Sequence, residues 1–243
     1  MADNGPLLSL EGVTKRFGSL VVADAVTLDL PRGQALGIIG PNGAGKSTLL
    51  NLIAGNLAPD QGQIRLNGRD VTGTSLTQRC RMGMGRAFQI PQTFSQLTVF
   101  ETLLVAASQG RGISESEAAE DSVSILERTG LLDRANQVSG SLNLLQRKRL
   151  ELARALATGP DLLLLDEIAG GLTEAECTSL VATIKELHAG GTTIVWIEHV
   201  LHALNSVVER LIVLDFGRVI QDGPPDTVMA SREVQEIYLG IEA

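Results

Sequence analysis

An apolar run at 35–39 leads into eight residues, Gly40-Pro41-Asn42-Gly43-Ala44-Gly45-Lys46-Ser47, the last two of which open a helix-forming run at 46–54. They follow the pattern G-x-x-x-x-G-K-S/T, which requires a strand, a tight loop and a helix start to meet at one point. Glycines let successive backbone N–H groups turn inward around an anion. The helix N-terminus adds partial positive charge. Lys46 can then reach the β- and γ-phosphates of a nucleotide, and the Ser47 hydroxyl can ligate Mg²⁺, with Thr48 next in the same turn. A glycine-rich turn without a ligand would not need this residue order between a strand and a helix.

A second segment supports the first. Asp161-Leu162-Leu163-Leu164-Leu165-Asp166-Glu167 is an apolar run ending in two carboxylates. Four consecutive leucines suit a strand buried on both faces. Its C-terminal end is where open α/β sheets bind ligands. Asp166 is placed to hold Mg²⁺ through water, and Glu167 to orient or deprotonate an attacking water. Alone, the run would read as a core strand followed by ordinary surface acids. Beside a phosphate loop, that reading weakens.

The rest of the chain fits an α/β fold. With only five Phe, one Trp and one Tyr, the core must be built from Leu, Val, Ile and Ala, which suits parallel strands flanked by helices. Strands are predicted at 7–13 and 20–30 around a turn at 16–19, at 35–39, and at 63–66 and 69–71 around the hairpin pair Asn67-Gly68. Helices follow at 98–107, 114–129 and 142–158, two of them opened by the capping boxes Thr98-x-x-Glu101 and Ser114-x-x-Glu117. After Gly159-Pro160 the alternation returns: strands at 162–165, 193–197 and 211–214, and a helix at 174–187 opened by Thr173-x-x-Glu176. From 223 onward the chain reads as a turn and short helices.

The net charge of −8 argues against a nucleic-acid partner, because phosphate contacts need a cationic face. Cys80 and Cys177 form no metal-ligand pattern and read as reduced thiols. The first residues carry no signal-peptide features, and no apolar run is long enough to span a bilayer. Any action at a membrane must therefore go through a partner.

These motifs resemble the nucleotide-binding subunit of ATP-binding-cassette (ABC) transporters, and the resemblance covers essentially the whole chain. It implies a P-loop NTPase (RecA-like) core with an N-terminal antiparallel β subdomain. It also implies a helical subdomain inserted at about 90–158 and a C-terminal tail at 223–243, all in one domain of 1–243. By this resemblance Phe17 stacks on adenine. Gln89 contacts Mg²⁺ and the attacking water and senses the membrane subunit. Residues 169–173 form the loop after the catalytic Glu167, and His199 contacts the γ-phosphate. Taken singly, Phe17 would more often be core, Gln89 surface and His199 structural, as His188 and His202 are read here. Their order along one chain lifts them above those readings. A metal pair at His199-x-x-His202 lacks a third ligand.

A narrower resemblance, at 98–106, 150–156, 197–199 and 223–240, is to ATPase subunits of branched-chain amino acid importers, whose relatives carry urea or short amides. It implies ATP and Mg²⁺ as cofactors. The implied partners are transmembrane permease subunits and a second ATP-binding subunit, identical or paralogous, with a solute-binding protein only indirectly involved. The implied location is peripheral, on the cytoplasmic face of the plasma membrane. The alternatives are a non-transport ABC protein of repair, translation or regulation, and an ATP-binding sensor with weak hydrolysis. Repair members carry long coiled-coil insertions and translation members two cassettes, and neither feature is present. Glu167 and His199 argue against the sensor.

One segment departs from the family. Where it places Leu-Ser-Gly-Gly-Gln, this chain has Leu142-Asn143-Leu144-Leu145-Gln146. Asn143 can still cap the helix and face a nucleotide held by a partner subunit. The two leucines are expected to obstruct backbone approach. Arg147, Lys148 and Arg149 follow, read as a solvated basic face or a polyanion dock. Ile168 replaces the proline that usually follows the catalytic glutamate.

Overall fold

The computed structural model describes residues 5–92 and 94–239. Its chain order is β1 (Leu8–Phe17), β2 (Leu20–Leu30), β3 (Ala35–Ile39), α1 (Lys46–Ala54), β4 (Gln61–Leu66), β5 (Arg69–Asp70), α2 (Leu76–Arg81) and β6 (Met84–Ala87). Three packed helices follow, α3 (Val99–Arg111), α4 (Glu115–Arg128) and α5 (Leu144–Ala157). The chain then runs through β7 (Leu162–Asp166), α6 (Glu174–Ala189), β8 (Thr193–Ile197), α7 (Leu201–Asn205), β9 (Arg210–Asp215), β10 (Arg218–Gly223), α8 (Pro225–Met229) and α9 (Arg232–Leu239).

Two sheets form. One is antiparallel, in the order β2-β1-β4-β5; the other runs β10-β9-β3-β8-β7-β6. In the second, β9, β3, β8, β7 and β6 are parallel and β10 is an antiparallel edge. Leu162 and Leu164 enter the core shared with the antiparallel sheet and α1, while Leu163 and Leu165 enter the core shared with the helices. The leucine run is thus buried on both faces, as its composition requires. Residues at i and i+2 share a face, so one strand serves two cores.

Several boundaries differ from the sequence-based expectation. The turn at 16–19 is tighter: β1 continues to Phe17, and only Gly18-Ser19 connect it to β2. The elements α2, β6, α7 and β10 had no periodic signal long enough to identify them. The capping pair Ser75 and Gln78, which opens α2, was nonetheless visible as S-x-x-Q. Arg79 of α2 is fully buried and donates to the carbonyls of Leu52 and Ile53 at 2.6 Å and of Val71 at 2.7 Å. It thereby bonds carbonyls of the last turn of α1, where intrahelical partners run out, and so anchors the helix that follows the phosphate loop. Of the expected tail at 223–243, residues 240–243 lie outside the described residues, as do the first four residues of the 1–243 domain.

Candidate functional site

Parallel strands end at one edge of their sheet, which is why residues far apart in sequence meet here. The loop 40–45 follows β3, His199 lies just beyond β8, Glu167 follows β7, and Gln89 lies just beyond β6. The strand order β3-β8-β7-β6 sets these segments side by side along that edge.

The loop closes tightly. Gly40 has φ 154°, and a Cβ there would sit 2.2 Å from the Leu214 carbonyl oxygen. Gly45 has φ 102°, and its Cβ would sit 2.3 Å from the carbonyl oxygen of Val22. No side chain fits at either position, so the two glycines are sterically required. The helices α2 to α6 all open with a side-chain capping box. By contrast α1 opens at Gly45 with no side-chain cap and no acid in its first turn. Its first amides are therefore left for an external anion.

A cavity of about 380 Å³ stands over this loop, lined by Phe17, Asn42 to Thr48, Glu167 and His199. Phe17 is 51% exposed at the hairpin end of β1, with the Lys15 ammonium 5.7 Å from its ring centroid, and its exposed part is open to a planar ligand. Lys46 is buried, and its ammonium donates to the carbonyls of Gly40 at 2.7 Å and Pro41 at 3.0 Å. Burial pulls its pKa below the usual lysine value, while the Glu167 charge opposes the fall.

Both carboxylate oxygens of Glu167 are engaged. Gln89 Nε2 donates to Oε2 at 2.5 Å, and His199 Nε2 lies 2.9 Å from Oε1. Glu167 itself has φ 45°, a left-handed conformation that costs about 1–3 kcal/mol in a residue with a side chain and persists only where neighbours enforce it. Its N–H donates to the Ile197 carbonyl at 2.8 Å.

Asp166 carries an unanticipated partner. Arg86 of β6 donates to it at 2.7 Å and to Asn51 Oδ1 of α1 at 2.7 Å, and lies over the Phe88 ring. Sequence reasoning missed Arg86 because its role depends on β6 pairing with β7. The oxygen donors of Ser47, Asp166 and Gln89 are of the kind a hard cation such as Mg²⁺ takes, and Arg86 pairs with Asp166 at 2.7 Å.

Asn143 is not in this cavity. It caps α5, accepting from the Gln146 N–H at 2.9 Å while Gln146 Oε1 accepts from the Asn143 N–H at 3.1 Å. Of the two leucines expected to obstruct, only Leu144 is exposed, and it lies near Gly171. Leu145 packs into the core, because successive helical residues point about 100° apart. The basic face expected at 147–149 does not form either. Arg147 alone remains exposed, its Nε bonded to the Leu142 carbonyl. Lys148 is buried, and Arg149 donates to the Thr129 carbonyl and to Ser179.

Beneath the site lies a buried polar cluster the sequence did not disclose: Lys148 and Glu151 of α5 and Glu198 after β8. Burial pushes the Glu198 carboxyl up to about 7, with the Glu167 charge adding to the rise and Lys148 opposing it. His188, read as structural, bonds to the Thr192 carbonyl and to Glu209.

Residues 23–170 match the family model described as ABC transporter. The chain is 36% identical over 250 residues to the high-affinity branched-chain amino acid transport ATP-binding protein LivG of Salmonella typhimurium, covering 97% of this chain and 98% of LivG. Its fold matches the crystal structure of a nucleotide-free ATP-binding cassette from an ABC transporter, with TM-score 0.87, 30% identity, and coverage of 98% and 99% of the two chains. It also matches the dimeric post-hydrolysis state of the cassette MJ0796 bound to ADP and Pi, with TM-score 0.79, 28% identity, and coverage of 90% and 98%. A phosphate loop and a braced carboxylate at one sheet edge, with the Phe17 ring lining the same cavity from β1, agree with these likenesses: the chain belongs to the ABC transporter family, as one of its ATP-binding, ATP-hydrolysing cassettes.

Proposed function

We propose that this chain is the ATPase subunit of an importer for branched-chain or other amino acids or small amides. On this reading it is a single cassette with a helical insertion at about 90–158. It pairs with a second cassette and drives two permease subunits from the cytoplasmic face of the membrane. The observation that carries the hydrolytic part is Glu167 held between Gln89 and His199 over the phosphate loop. The adenine ring stacks on Phe17, and the α1 amides with Lys46 grip the phosphates. Ser47, Asp166 and Gln89 would hold Mg²⁺, which would supply charge neutralisation at the nucleotide phosphates. Glu167 takes the proton of the attacking water, and His199 and Gln89 orient the reacting groups.

Among the described residues no helix is long and apolar enough to cross a membrane. An apolar groove of about 370 Å³ borders the segment around Gln89, lined by Leu76 and Cys80 of α2, Val105 and Ala106 of α3, and Phe88 and Phe94. It supports contact with a permease beside Gln89. Produced together with a candidate permease pair and solute-binding protein of the branched-chain amino acid class, the chain should energise ATP-dependent uptake of labelled leucine, isoleucine or valine, or of a short amide, into vesicles. Failure to energise uptake of any of these solutes would overturn the importer assignment.

The exposed Leu144 at the tip of α5 supports unequal sites. The chain's own phosphate loop is competent, whereas the site that its α5 caps in a partner is weak. A mixed dimer with a related cassette bearing glycines at the positions of Leu144 and Leu145 should hydrolyse ATP faster per site than the homodimer. Equal, rapid turnover in the homodimer would refute this asymmetry.

A further inference from the structure

The loop carrying Gln89 is stapled to α5 by three charged side chains. Lys148, Glu151 and Arg154 are spaced three apart and so line one face of the helix. Glu151 accepts from the N–H groups of Phe88 at 3.3 Å and Gln92 at 2.9 Å. Arg154 donates to the Gln92 carbonyl and to Glu151. Lys148 donates to the Gln89 carbonyl at 3.0 Å, and its ammonium also faces the Glu167 carbonyl at 3.5 Å. Lys148 is only 3% exposed.

A buried ammonium is costly unless its position yields contacts that water would otherwise supply. Here those contacts are the backbones of the two residues whose side chains meet over the phosphate loop. Glu167 needs such a contact. Its left-handed backbone must be held from both sides, by Ile197 at its N–H and by Gly170 and Lys148 at its carbonyl.

We propose that Lys148 is a positioning residue for ATP hydrolysis: from α5 it fixes the Gln89 and Glu167 backbones at one separation, so that the amide and the carboxylate stay in register. The α5 helix begins at the segment that would face a partner's nucleotide, so a shift of α5 on dimer closure is transmitted through Lys148 to this chain's own carboxylate. Glu198 lies in the same cluster, with its Oε2 lacking a hydrogen-bond partner. It offers the competing explanation, that Lys148 serves only to neutralise that carboxylate.

This inference rests on the ATPase reading. The test uses the full chain, in whichever dimer hydrolyses faster in the comparison above. Lys148→Met should lower kcat by about 10- to 100-fold, the loss expected when reacting groups shift by about 1 Å. The KM for MgATP should stay within about twofold. The double variant Lys148→Met/Glu198→Gln removes both charges, so it remains informative where the single variant does not fold. It should keep the low kcat and the unchanged KM. Wild-type kcat in either variant, or a rise in KM that accounts for the whole loss, would overturn the proposal. The parent chain and Lys46→Ala are run in the same assay. A parent that hydrolyses no more than Lys46→Ala would sink the ATPase reading and this inference together, whereas an active parent beside an equally active Lys148→Met sinks only the inference.

Discussion

Glu167→Gln is expected to lower MgATP turnover by about 10²- to 10⁴-fold, the usual contribution of a positioned general base, while ATP binding survives. The amide keeps the size of the carboxylate, and its single oxygen can still accept from Gln89 or His199, which meet Glu167 at 2.5 and 2.9 Å. What disappears is the capacity to take a proton from water. The phosphate loop, Lys46 and Phe17 are untouched, so nucleotide should be held and not cleaved, and an ATP-bound dimer should accumulate. Single-turnover hydrolysis, with gel filtration in MgATP, reads both quantities. Hydrolysis at the parent rate would show that another group is the base.

Lys46→Ala should act at the earlier step. The ammonium sits at the mouth of the uncapped α1 helix, buried, donating to the Gly40 and Pro41 carbonyls of the loop at 2.7 and 3.0 Å. A triphosphate can draw it away from these neutral acceptors, because charge-assisted hydrogen bonds are stronger than those to carbonyls. A hydrogen bond to a charged group contributes about 1.5–3 kcal/mol, so its loss should weaken MgATP binding by roughly 10- to 150-fold. Turnover should vanish with it. Calorimetric titration with MgATP measures the affinity, and a melting curve separates lost binding from lost fold. Parent-like heat and affinity would remove Lys46 from the site, and with it the basis for reading this loop as a phosphate cradle.

The local elements of this architecture could be read directly. The predicted strands at 35–39 and 193–197 and the helix at 46–54 coincide with β3, β8 and α1, because each is a short apolar run or a helix start bounded by glycine. The capping boxes at Thr98, Ser114 and Thr173 form as expected, since a cap is satisfied within four residues of chain. Other features could not be read. A two-sided buried strand such as β6, only four residues long, has no period. The inward turn of Lys148 depends on where the segment carrying Gln89 packs. A run of Arg147-Lys148-Arg149 looks the same in sequence whether it faces water or carbonyls.

The sequence by itself determined the phosphate cradle, the leucine strand with its terminal carboxylates, and the family, because these depend on residue type at short range: glycine where no Cβ fits, lysine beside an uncapped helix, acids after an apolar run. The tertiary structure alone decided what surrounds them. The pairing of Asp166 with Arg86, the bracing of Glu167 by Gln89 and His199, and the clamp from α5 all join residues dozens of positions apart. Such contacts exist only because five parallel strands end at a common edge, and no local pattern specifies which strands will lie side by side there.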